Sequence, residues 1–231
     1  MGGLRRGIAR EMGFDSSKGR NPLVYGFIKA IAAIVFRLCY RLRVQGVENI
    51  PQQGPAIILP KHQYWTDIPI VGLALGPQLN YIAKTELFRI PSVKTFLSLL
   101  GGIPVNRERT TKTMGSFRHI LQLLREKEYV VIFPEGTYYR SEVGKGKSRL
   151  IQMILRWQGH VGANGTDTME HYIPFVPMGI YYGRKGLRNM VTVKIGRPIF
   201  AEGEDEALKL TNQIIRSIAR LSGMPQEGTG M

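Results

Sequence analysis

An apolar stretch runs from Leu23 to Tyr40, broken only by Lys29 and Arg37. Beyond Arg41 the pattern changes to short β-branched and aromatic runs alternating with stretches of helical period. The short runs predict strands at Arg43–Val47, Ala56–Leu59, Asn80–Ala83, Ile103–Val105, Tyr129–Phe133, Phe175–Tyr181 and Met190–Ile195, with Gly or Pro as flanking punctuation. The longer ones predict helices at Ile68–Leu75, Val93–Leu100, Thr113–Lys127, Leu150–Trp157 and Asp205–Leu221. On the third of these, Ile120, Leu121, Leu123 and Leu124 make an apolar stripe with charge elsewhere. The alternation predicts an α/β domain with a mostly parallel central sheet flanked by helices, the late strands being parallel or antiparallel. In open sheets of this kind, ligands gather outside the carboxyl ends of the strands. Gly159–Thr168 reads as a loop and Ser222–Met231 as a frayed tail.

The first apolar stretch does not read as a membrane span. A span needs about 20 nearly uninterrupted apolar residues, and the longest charge-free piece here is Ala30–Phe36. On a helical projection Lys29, Arg37, Arg41 and Arg43 share one arc, with Phe27, Ile28, Ile31, Val35 and Leu38 on the other side. A basic amphipathic helix suits the bilayer interface, its Lys and Arg reaching the headgroups. An amphipathic helix packed on the domain would show the same pattern. The stretch is unlike a secretory signal, since its apolar part starts late and no small-residue cleavage site follows. The expected division is a basic N-terminal membrane-interface segment (1–43), one α/β domain (44–222) and a flexible tail (223–231).

Charge sharpens the reading of partners. The chain has 231 residues, 43% of them hydrophobic, and a net charge of +15. That is enough for one sizeable core, and it predicts anionic partners: nucleic acid, anionic lipid or an acidic substrate. Almost half of the charge comes from residues 1–45, where Arg5, Arg6, Arg10, Lys18, Arg20, Lys29, Arg37, Arg41 and Arg43 face only Glu11 and Asp15. Cys39 is the single cysteine, so a disulfide framework and a Cys-rich metal site are excluded, and a reducing, cytosol-facing location fits. The four histidines, His62, His119, His160 and His171, show no paired-ligand spacing.

Candidate chemistry lies where predicted strands end. Pro60-Lys61-His62-Gln63-Tyr64-Trp65-Thr66-Asp67 follows the second strand. A neutral histidine suits removal of a proton from an alcohol near pH 7, best when a carboxylate orients it. A turn would bring His62 and Asp67 together; alternatively Asp67 caps the following helix and His62 is a loop residue. Gly101-Gly102-Ile103-Pro104-Val105-Asn106-Arg107 ends a strand with an arginine, whose planar fork of donors matches phosphate oxygens. Val131-Ile132-Phe133-Pro134-Glu135-Gly136-Thr137 ends another, with Glu135 and Gly136 placed to order a headgroup or other site residues. The last block is Ile173-Pro174-Phe175-Val176-Pro177-Met178, a Pro-interrupted strand.

In that order, KHQYWTDIP, GGIPVNRE, FPEGT and IPFVP resemble the glycerolipid acyltransferase family of the 1-acylglycerol-3-phosphate acyltransferase type. YIAKTELFRIP (Tyr81–Pro91) is similar to the segment this family carries between its first two motifs. The resemblance covers roughly Val44 to Pro198. It implies an O-acyltransferase in which His62 is the general base, Asp67 orients it, and Arg107 binds the acceptor phosphate. Lys84, Glu135, Gly136, Thr137 and Arg140 are then further substrate-binding residues, and Val176 and Pro177 line an acyl channel. The family's third motif usually continues FPEGTRS, whereas here Tyr138 and Tyr139 precede Arg140-Ser141, which bears on the headgroup.

The implied reaction passes an acyl group directly from acyl-CoA or acyl-carrier protein to the sn-2 hydroxyl of 1-acylglycerol 3-phosphate, giving phosphatidic acid. No cofactor and no metal are expected, and no G-x-S-x-G elbow offers a serine nucleophile. The implied location is an anionic membrane surface, on the cytoplasmic face. Another lysolipid, of ornithine or phosphatidylglycerol type, would be served by the same chemistry. A nucleic-acid-binding module is the rival from another class, but no zinc finger or aromatic RNA-binding signature is present. Nor is there a phosphate loop: before Gly146-Lys147-Ser148 the required earlier glycine is Ser141.

Overall fold

The computed structural model describes residues 22–76, 79–90, 93–95, 97, 102–105, 110–164, 172–185 and 188–228. In chain order these form helix α1 (Pro22–Cys39), strands β1 (Tyr40–Gln45) and β2 (Ala56–Pro60), helix α2 (Asp67–Leu75), and strands β3 (Leu79–Lys84) and β4 (Gly102–Val105). Helix α3 (Thr110–Arg125), β5 (Tyr129–Val131), α4 (Arg149–Asn164), the pair β6 (Phe175–Lys185) and β7 (Arg188–Ile195), and α5 (Ala207–Ser222) follow. The strands join in one sheet of order β1-β7-β6-β2-β5-β3-β4. Only the β6–β7 hairpin is antiparallel among these pairings.

The centre of the sheet explains its stability. All five residues of β2 are buried, as expected of a strand covered on both faces. Ile57 and Leu59 face one apolar layer, where α3, α4 and α5 pack through Ile120, Leu124, Ile154, Leu155, Leu210 and Ile214. Ala56 and Ile58 face the other, which holds Ile70 and Val71 of α2 and is flanked by Phe36 of α1. Each fully buried Ile or Leu contributes about 1.5–3 kcal/mol of transfer free energy. Helix α5 lies so close to β6 that a Cβ on Gly179 would come within 2.5 Å of the Leu221 carbonyl carbon.

The α/β architecture is as expected, with differences at several ends. Helix α1 stops at Cys39, so Arg41 and Arg43 do not extend its basic arc. They are alternate, exposed residues of β1, which starts earlier than expected because Tyr40 already pairs with Asn189 of β7. Helix α4 continues through Gly159 to Asn164, where a loop was expected. Residues 224–227 do not fray: Val143 N–H donates to Pro225 O (2.8 Å) and Glu227 N–H to Val143 O (2.8 Å). Of the helix expected at Val93–Leu100, residues 93–95 and 97 are helical and the remainder lies outside the described residues.

Candidate active site

The site forms where β2 leaves the sheet. Lys61 N–H donates to Met178 O at 2.8 Å, carrying the parallel ladder one residue past the strand. The chain then turns through Gln63–Thr66 into α2. Thr66, not Asp67, is the N-cap residue, and it makes no side-chain capping bond. The Asp67 carboxylate instead folds back over the turn. Its Oδ2 accepts the backbone N–H groups of Gln63 (2.5 Å) and Tyr64 (2.8 Å) and lies 3.1 Å from His62 Nδ1. Its Oδ1 accepts the Tyr182 hydroxyl at 2.5 Å. With Nδ1 engaged by an acceptor-only group, Nδ1 holds the proton of the neutral imidazole and Nε2 is its basic nitrogen.

Two aromatic rings pack against the imidazole. The Phe133 ring stacks on it at 3.9 Å, and the Tyr138 ring tilts against it at 4.3 Å. The His62 side chain is 12% exposed, while that of Asp67 is fully buried. The imidazole side chain thus keeps a small contact with solvent while its carboxylate partner has none.

A buried ion pair joins this turn to the loop after β5. Lys61 Nζ donates to Glu135 Oε1 (2.8 Å), Tyr139 O (2.7 Å) and His62 O (3.2 Å), which uses all three ammonium protons. Glu135 also accepts the N–H groups of His62 (2.8 Å) and Gly144 (2.9 Å), and Tyr139 N–H returns to His62 O (2.9 Å). Both charged side chains have no exposed surface. Burial pulls the Lys61 ammonium below its ordinary range and pushes the Glu135 carboxyl above its own, each opposed by the other's charge. Gly136 turns the loop at φ 72°, a left-handed conformation that a Cβ would strain.

The sequence-based expectations meet this geometry unevenly. His62 and Asp67 are brought together. Glu135, expected among the substrate-binding residues, faces inward and clamps the two loops, because its oxygens already serve Lys61, His62 and Gly144. Thr137 is exposed and Gly136 buried beside it. Arg140 is exposed, its guanidinium 5.5 Å from the Tyr64 ring centroid, next to the turn that carries His62 and Asp67. Lys84 ends β3, two strands from β2 on the same carboxyl edge of the sheet. Arg107 lies outside the described residues. Val176 and Pro177 are buried within β6, Val176 in the packed core.

Lys61 and Tyr182 were not singled out from the sequence. The available signal for Tyr182 is β alternation carried one residue past the strand predicted at Phe175–Tyr181, which puts it on the same face as Met178 and Ile180.

The sequence profile of the acyltransferase family matches residues 41–181, a stretch that contains the whole constellation from Lys61 to Arg140. The chain belongs to the acyltransferase family. Among curated members, the chloroplastic 1-acyl-sn-glycerol-3-phosphate acyltransferase of Arabidopsis thaliana is 32% identical over 118 residues, covering 51% of this chain and 32% of that one. The 1-acyl-sn-glycerol-3-phosphate acyltransferase of Bacillus subtilis is 31% identical over 121 residues, covering 52% of this chain and 60% of that one. The chain thus spans a third to three-fifths of the length of these relatives. The fold is shared with the crystal structure of the 1-acyl-sn-glycerophosphate (LPA) acyltransferase PlsC from Thermotoga maritima. The TM-score is 0.56 at 24% identity, covering 93% of this chain and 88% of that one.

Proposed function

We propose that this protein transfers a fatty acyl group from an acyl thioester, acyl-CoA or acyl-carrier protein, to the sn-2 hydroxyl of 1-acylglycerol 3-phosphate, giving phosphatidic acid. The observation that carries the reading is the His62–Asp67 pair, 3.1 Å apart, with the carboxylate anchored by three further donors. His62 Nε2 takes the hydroxyl proton as that oxygen attacks the thioester carbonyl. The carbon–sulfur bond then breaks and the proton passes from the imidazolium to the departing thiolate. Asp67 keeps the ring in the productive tautomer and steadies the imidazolium. Arg140 supplies a cation beside the catalytic turn for the acceptor phosphate, with Arg107 and Lys84 as further candidates on the same reading. The names of the Arabidopsis and Bacillus relatives favour this acceptor.

The same reading places the protein on an anionic membrane surface at its cytoplasmic face. Ile31, Ile34, Val35 and Leu38 form a stripe along α1 and are 45–61% exposed. No helix among the described residues is long and apolar enough to cross a membrane. An exposed apolar stripe on a basic segment suits a helix lying in the interface.

The deciding experiment supplies 1-acylglycerol 3-phosphate in detergent micelles with acyl-CoA or acyl-carrier protein, and follows thiol release and phosphatidic acid by mass spectrometry. Wild type makes phosphatidic acid, and His62→Ala loses about 10²–10⁴-fold in kcat. Thiol release without phosphatidic acid would point to another lysolipid acceptor or to thioester hydrolysis. An acyl-enzyme trapped with donor alone would overturn direct transfer.

A further inference from the structure

We infer that Tyr182 is a positioning residue that acts on His62 through Asp67 and tunes how strongly the imidazole holds its proton. The inference rests on the functional reading above only for its kinetic arm.

Tyr182 lies on β6, one residue past the stretch that matches the family profile. Its hydroxyl is 2.5 Å from Asp67 Oδ1 and 2.9 Å from Thr66 Oγ1. Burial and the charge of Asp67 raise the phenol well above its ordinary range, so the hydroxyl keeps its proton. A phenol has one proton, and Asp67 offers only acceptors, so that proton goes to Asp67 and Thr66 must donate to the Tyr182 oxygen. The result is a directed chain: the Thr66 hydroxyl to Tyr182, Tyr182 to Asp67 Oδ1, and His62 Nδ1–H to Asp67 Oδ2.

The two carboxylate oxygens have different duties. Oδ2 gathers the turn's own groups, His62 and the N–H groups of Gln63 and Tyr64, all within five residues. Oδ1 is held from across the sheet by Tyr182, 115 residues away in sequence. A short bond at Oδ1 draws charge toward the phenol and leaves less on Oδ2 to stabilise an imidazolium. Tyr182 therefore fixes the carboxylate in place and weakens its pull on the His62 proton. The other titratable and charged groups facing this spot are Tyr40 on β1, Tyr64 in the turn with Arg140 over its ring, and Tyr138 beside His62. Lys61, held by Glu135 behind the turn, also feels the Asp67 charge. None of them donates to Oδ1 among the bonds described.

The test is Tyr182→Phe, which keeps the ring packed against Tyr64 and Tyr40 and deletes only the hydroxyl. The first readout needs no substrate: NMR titration of the His62 imidazole in the full-length protein. The midpoint is expected to rise in the variant, by about 3-fold in proton affinity, because an undiluted carboxylate favours the charged ring. The second is the pH–rate profile with lysophospholipid and thioester, whose ascending limb should move to higher pH by the same amount. If Tyr182→Phe unfolds, Thr66→Val, which removes the donor behind Tyr182, should shift the midpoint in the same direction. A variant that folds with an unmoved His62 titration overturns the inference, whatever its rate. Wild type without acyltransfer would sink the functional reading, while the titration would still decide the role of Tyr182.

Discussion

Asp67 and Glu135 are both buried carboxylates at the site, yet they answer different physical demands. Asp67 orients an imidazole; Glu135 neutralises an ammonium and ties two loops together. Removing one partner of a buried pair leaves an uncompensated charge, at a cost of about 3–5 kcal/mol. Lys61→Met should therefore lower the melting temperature by roughly 10 °C near neutral pH. The sign of its pH dependence follows from Glu135. Without Lys61, burial raises this carboxyl still further in the folded state. The native protein then binds more protons than the unfolded chain above the unfolded value of about 4.3, so stability falls as pH rises through that window. Melting curves should show a larger deficit at about pH 8 than at about pH 5; an equal deficit at both would assign the loss to packing alone. His62 and Asp67 were legible in the sequence because their contact closes within one turn. Tyr182 is not, because it falls one residue past the strand predicted at Phe175–Tyr181 and nothing local shows what lies across from it. Lys61 is not legible either, because a lysine in a polar motif reads as solvated.

At the scale of elements, two glycines make opposite predictions. Gly179 lets α5 rest on β6, and a Cβ there would press on the Leu221 and Ser222 backbone. Gly179→Ala should cost about 1–3 kcal/mol or more, since backbone cannot yield as a flexible side chain does. Gly159 is exposed within α4, and a Cβ there would meet nothing within 4 Å. Gly159→Ala should stabilise by roughly 0.5–1 kcal/mol through helix propensity, and denaturant melts of both variants would check the pair. A neutral Gly179→Ala would mean that α5 shifts without loss. Gly159 also shows why helix ends are hard to read from sequence: Gly159, Gly162 and Asn164 look like loop chemistry, yet the helix continues through to Asn164. The strands were readable as elements from their β-branched runs. Their order was not, because β1 joins β7 across the chain and nothing local to Tyr40–Gln45 names that partner.

The whole molecule sets its chemistry at the carboxyl edge of β2 and its apolar stripe on α1, on the same side of the sheet as α2. If that stripe enters the bilayer interface, replacing Ile34 and Leu38 with Glu should weaken sedimentation with anionic vesicles by at least about 10-fold. Loss of binding in high salt alone, with the double variant unchanged, would assign attachment to charge. Helix α1 ends at Cys39 and β1 begins at Tyr40, with no residue between them, and the Phe36 ring lies 5.7 Å from Tyr40 and 6.2 Å from Trp65 in the turn between β2 and α2. A helix joined to a sheet in this way is a bracket and not a leash. On a bilayer it would give the active site one stand-off height and one tilt, so the depth at which an acceptor hydroxyl must present itself would be set by the protein's build and not by diffusion of a tethered domain.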